Sequence, residues 1–132
     1  SQGQLANHLN VVGRGLGDLA EALGPTYQKT IVLVMSEFGR TVRENGNGGT
    51  DHGHGNFMWL MGGGIAGGKL NGNWNGLTQN SLYEGRDLPV LTDYRSVIGS
   101  VIGEHMKLSK AQIDTVFPGF KNANDGLPLL RG

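Results

Sequence analysis

The chain has 132 residues, 37% of them hydrophobic, which suits one domain of ordinary size or a piece of a larger one. Its formal net charge is zero, so it lacks the basic stripe that nucleic-acid binding requires, and no apolar run approaches the ~20 residues of a membrane span. With no cysteine, disulfides and thiolate metal sites are excluded, and 24 glycines against roughly nine at ordinary usage point to long, tightly turned loops.

The chain begins Ser1-Gln2-Gly3 without Met, the start expected of a processed or excised piece. Leu5, Leu9, Val12, Leu16, Leu19 and Leu23 then recur at steps of four and three, the stripe of an amphipathic helix. Gly13, Gly15 and Gly17 interrupt it, each at a cost of roughly 1 kcal/mol against Ala. Gly24-Pro25 ends it. Thr30 to Met35 is a short β-branched run, the pattern of a strand buried on both faces, and helix-then-strand order predicts a parallel sheet. Phe57 to Met61 is a second strand, stopped by Gly62-Gly63-Gly64. Residues 65–88 have little periodicity and form a long loop, with room for a short hairpin around Lys69 to Trp74. Thr92 is the expected N-cap of a helix presenting Val97, Ile98, Val101, Ile102, His105 and Met106. Ser109 and Gln112 make a capping-box pattern for a short helix through Val116, and the tail after Phe120 is irregular.

Chemistry concentrates between Ser36 and Asn56. Glu37 follows directly on a buried strand, where open α/β sheets place their ligands. The bland alternative is a carboxylate paired with Arg40 or Arg43. Asp51, His52 and His54 fall within four residues, an oxygen and two nitrogens suited to a divalent ion. In extended chain the two histidines point one way and Asp51 the other. Gly49, Gly53 and Gly55 are expected to take positive φ and turn the chain so that all three converge. The alternative is a Gly-rich loop whose histidines are exposed or hydrogen-bonded. Arg40 and Arg43 suit the oxygens of phosphate or sulfate, or equally ion pairs with Glu37 or Glu44. His8 and His105 lie on helix patterns and are structural. Gly15-Leu16-Gly17-Asp18-Leu19-Ala20 matches a dinucleotide pattern without the preceding strand it needs. Gly48-Gly49-Thr50-Asp51 only faintly resembles a calcium nonapeptide repeat, and it stands as one copy where such sites need tandem copies.

Ser36-Glu37-Phe38-Gly39-Arg40-Thr41, Glu44-Asn45-Gly46, the run from Gly49 to Asn56 and Gly62-Gly63-Gly64 resemble the C-terminal part of the DUF1501 family. These bacterial proteins are grouped with the alkaline phosphatase/sulfatase-like superfamily. The resemblance implies an α/β fold: the C-terminal portion of an alkaline-phosphatase-like sheet core with flanking helices and long Gly-rich loops. Residues 1–132 would be a single domain or a fragment of that larger one. In the superfamily a strand ends in Ala/Ser-Asp-His-Gly, and Ser36-Glu37-Phe38-Gly39 falls in that place. Glu37 stands for the metal-binding Asp, Phe38 for the His, and His52 for a later His. Asp51 or His54 would supply the ligand that Phe38 cannot. The implied cofactor is a divalent ion (zinc, manganese, iron or calcium). The implied activity is metal-dependent hydrolysis of phosphate or sulfate esters by a longer, exported, periplasmic protein, of a family that often carries a twin-arginine export signal. The competing function is a non-catalytic binding or scaffold protein, for which Trp59 and Trp74 among Asn-rich loops suit a glycan. Expected partners are therefore a small anionic ester or a glycan, with self-association of the fragment through an apolar sheet edge.

Overall fold

The computed structural model describes residues 3–121 and 127–131, so part of the tail lies outside the described residues. Helix α1 (Gln4–Leu23) runs into a 3-10 segment (Gly24–Lys29), and the chain then enters strand β1 (Ile31–Val34). Gly24 closes α1 with φ of 50°, a left-handed value that glycine adopts without a Cβ penalty, and its N–H donates to the Glu21 carbonyl. Strands β2 (Gly39–Arg40) and β3 (His52–Gly53) form a small hairpin, and β4 (Trp59–Gly62) returns alongside β1. Helices α2 (Tyr94–His105) and α3 (Lys110–Val116) follow the long loop. The result is a mixed α/β arrangement of helices and two small sheets.

The main sheet pairs β1 with β4 antiparallel, Ile31 opposite Gly62 and Val34 opposite Trp59, where the sequence pattern predicts a parallel sheet. The reason lies in the connection. A parallel pair needs a crossover, usually a helix, and residues 35–58 instead fold back as the β2–β3 hairpin. Nor is β1 buried on both faces, since all four of its residues are half-buried. Its Ile31 and Leu33, with Met58, Leu60 and Leu127, pack against Val97 and Val101 of α2 and against Leu129. The chain at Leu129–Leu130 is tied to the end of the sheet by an Ile65–Leu130 bridge and by Ala66 N–H to the Leu129 carbonyl at 2.8 Å.

Asp93, not Thr92, caps α2; its carboxylate accepts from the Arg95 N–H at 2.9 Å. An Asp can serve as cap and also form an ion pair, and Arg95 Nη2 donates to it at 2.6 Å. The capping box of Ser109 and Gln112 forms as expected. No strand pairing occurs at Lys69 to Trp74; the loop contains a short 3-10 turn (Gln79–Ser81) and a tight turn at Tyr83–Asp87. Helix α1 has the anticipated apolar stripe but no buried residue, with Leu5, Leu9, Val12 and Leu19 all exposed.

Candidate functional site

The segment after β1 is held by short-range bonds. Phe38 N–H donates to Ser36 Oγ at 3.2 Å, and Asn56 Nδ2 donates to the Phe38 carbonyl at 2.7 Å. These place Ser36, Glu37 and Phe38 in an exposed bend just beyond the end of the strand. The chain then pairs Arg40 with His52 across β2–β3, and Arg40 N–H donates to the Gly55 carbonyl at 2.8 Å.

The glycines of the motif act differently from the sequence expectation. Gly49, Gly53 and Gly55 do not take positive φ. The contribution of Gly53 and Gly55, with Gly39, is close approach. A Cβ on Gly39 would stand 2.3 Å from the His54 carbonyl carbon, and one on Gly53 2.6 Å from the Arg40 carbonyl carbon. Only glycine lets backbone pack on backbone at that separation. Positive φ is found instead at Gly48, in the tip of the hairpin. There Asn45 organises the turn: its Oδ1 accepts from Asn47 and Gly49 N–H at 3.0 and 3.1 Å, and its Nδ2 donates to Asp51 Oδ1 at 2.9 Å.

Arg40 has a fixed guanidinium. Its Nε donates to Thr50 Oγ1 at 2.9 Å and its Nη2 to the Thr50 carbonyl. Its Nη1 lies 3.4 Å from His52 Nδ1. A guanidinium can only donate, so a hydrogen bond here uses the Nδ1 lone pair of the tautomer that carries its proton on Nε2. The His52 ring stacks on Phe38 with centroids 4.5 Å apart, and the residue is exposed. No ion pair joins Arg40 or Arg43 to Glu37 or Glu44 among the described residues.

His54 goes elsewhere. Its ring lies flat on Tyr83, centroids 3.7 Å apart and planes 10° from parallel. Tyr83 opens a turn whose next two residues, Glu84 and Gly85, both have positive φ (51° and 65°). The turn delivers Asp87 to a buried position, where Arg86 holds its carboxylate with bonds of 2.6 and 3.1 Å. The Arg86 hydrogen bonds hold the Asp87 carboxyl below the usual carboxylate range against the opposing effect of burial, with smaller contributions from the His54 charge and backbone N–H. Residues 86–88 act as a third strand: Val42 N–H donates to the Arg86 carbonyl, Leu88 N–H to that of Arg40, and Gly55 N–H to that of Leu88.

Sequence reasoning missed this third strand with Tyr83, Arg86 and Asp87. Adjacent opposite charges in a polar loop look solvated, and only the Gly85 turn signal hinted otherwise.

The four donors Glu37, Asp51, His52 and His54 are all exposed, but they are not gathered together. Among the described residues no three His, Asp or Glu side chains are placed to hold one metal ion. The donor chemistry agrees with that. A metal-bound histidine presents a lone pair to the ion and donates its other N–H to an acceptor, whereas His52 Nδ1 faces the donor Arg40. The residues present therefore do not fit a divalent ion as one set.

The family described as "Protein of unknown function (DUF1501)" matches residues 1–117. The chain belongs to this family. No curated protein and no solved structure gives a match. No helix among the described residues is long and apolar enough to cross a membrane.

Proposed function

We propose that the hairpin edge of this DUF1501 chain recognises the oxyanion of a phosphate or sulfate ester. The observation that carries the reading is the Arg40–His52 pair, a guanidinium anchored on Thr50 beside an imidazole that, in the tautomer accepting from Arg40, has an Nε2–H with no partner among the described residues. Two donors side by side, with no carboxylate paired to the guanidinium among the described residues, suit an anionic oxygen. Arg43 is exposed at the same hairpin and adds long-range attraction.

Titration of inorganic sulfate and phosphate into the intact protein tests this. Arg40→Ala is expected to weaken binding about tenfold or more, the worth of a charge-assisted hydrogen bond. His52→Ala should weaken it by less, and Arg43→Ala least. A chelator should change nothing. Folded Arg40→Ala and His52→Ala proteins that bind as tightly as the parent would refute the reading.

A second reading is metal-dependent hydrolysis of such esters by a longer, exported, alkaline-phosphatase-like protein. It is favoured by Glu37, an exposed carboxylate without an ion pair among the described residues, just past the end of β1. On this reading Glu37 and one of Asp51, His52 or His54 are single donors to a site completed by other parts of the protein. Stoichiometric metal in the intact protein, lost with esterase activity in Glu37→Ala, would support it; metal-free protein with full anion binding would exclude it.

A further inference from the structure

We infer that Asp87 is a positioning residue for this edge: from the Tyr83–Asp87 turn it fixes the His54 ring on Tyr83 and steadies the strand that carries Arg40. The importance of that placement for ligand binding rests on the anion-recognition reading above.

Asp87 is 3% exposed, while its partner Arg86 keeps most of its side chain in solvent. A buried carboxylate is costly and is retained only with good partners. The turn does not need it for closure. Backbone bonds from Arg86 and Asp87 N–H to the Tyr83 carbonyl, at 3.1 and 3.0 Å, and from Tyr83 N–H to the Asp87 carbonyl, at 3.0 Å, already close it. What the carboxylate and its Arg86 clamp add is a rigid corner beneath the two things that adjoin it. One is the His54–Tyr83 stack, whose Tyr83 belongs to the same turn. The other is the strand from Gly39 to Val42, which receives residues 86–88 along its second edge through Val42 N–H to Arg86 at 3.0 Å and Leu88 N–H to Arg40 at 3.1 Å. Thr41 faces Asp87 directly in that pairing. Asp87 thus stands one residue from Arg40 in the ladder and beside the residue that stacks on His54, without being a ligand-facing group.

The test uses the intact protein with isotopically labelled histidine. The His54 ring protons, shielded by the Tyr83 face, report the stack, and sulfate titration reports the edge. Asp87→Ala is expected to remove the shielding and to weaken sulfate binding about fivefold, the worth of one ordinary hydrogen bond. Asp87→Asn keeps the volume and loses the charge, so a smaller displacement in the same direction is expected; it carries the test if the alanine variant does not fold. His54 signals that stay in place in a folded variant overturn the inference. Displaced signals with unchanged sulfate affinity overturn its bearing on binding. If the parent protein binds no sulfate, the anion reading fails, while the His54 signals still decide the role of Asp87 in the fold.

Discussion

Replacing Gly39 by Ala is the sharpest test of how the hairpin is built. The added Cβ would meet the His54 carbonyl carbon at 2.3 Å and the Gly53 carbonyl oxygen at 2.4 Å. Ordinary contact lies near 3.5 Å, so the strands must part by about 1 Å. Two ladder bonds then stretch beyond bonding range, Arg40 N–H to Gly55 at 2.8 Å and Thr41 N–H to Asp51 at 3.0 Å. Each is worth about 1 kcal/mol, and overpacking adds about 1–3 kcal/mol. The expected loss is about 3–5 kcal/mol, a fall in Tm on the order of 10 °C for a chain of this size. Urea and thermal unfolding of the intact protein measure it. The control is Gly13→Ala in α1, where an added Cβ meets nothing within 4 Å. That change should stabilise by about 1 kcal/mol through helix propensity. The same chemical change is thus expected to have opposite signs at two glycines. A neutral Gly39→Ala would refute the close-approach account of the motif.

Ser100 Oγ is buried without a hydrogen-bond partner among the described residues, so Ser100→Ala should be neutral or raise stability by up to about 1 kcal/mol in denaturant titration. Ser109→Ala removes the capping box of α3 and should cost about 1 kcal/mol, seen as faster amide exchange in residues 110–113. Asp93→Asn tests a pH dependence. The hydrogen bonds from Arg95, chiefly those of its side chain, lower the Asp93 carboxyl from its ordinary 3.8, against a smaller opposing effect of burial. A depressed folded-state value stabilises above the unfolded pKa, and that stability is lost as pH falls through the folded one. The stability gap between parent and Asp93→Asn should therefore be constant at neutral pH and close below about pH 4; a gap that persists at pH 2 would count against the ion pair.

What the sequence made legible was local. The 3.6-residue stripe, the Gly24-Pro25 stop and the Ser109–Gln112 box each encode a contact within a few residues, and each has its structural counterpart. Even there the stripe misled in one respect, because periodicity shows that Leu5 to Leu23 share a face and not that anything covers it. The antiparallel register of β1 and β4 was hidden because pairing is non-local and a short apolar run has no direction. The strands at Gly39–Arg40 and His52–Gly53 are two residues long, too short to show an alternation. The third strand at 86–88 depends on a left-handed Glu84, a conformation that sequence does not advertise. The sequence puts Glu37, Arg40, Asp51, His52 and His54 in one segment, but spacing alone cannot say which face each side chain takes.

The separation of these side chains bears on the choice between the two functional readings. Gly39 and Gly53 press β2 and β3 together, and Arg40 is bonded to Thr50 through both Nε and Nη2. Its third donor is thereby aimed at His52 Nδ1. In the tautomer that accepts from Arg40, His52 carries its proton on Nε2, so binding a metal through Nε2 would give up that contact. His54 is stacked on Tyr83. Anion recognition asks for no such change, because Arg40 stays anchored on Thr50. The Asp51-His52-Gly53-His54 string therefore divides its labour: the glycine sets the strand spacing, His52 joins Arg40 at the exposed edge, and His54 is held by the turn that carries Asp87.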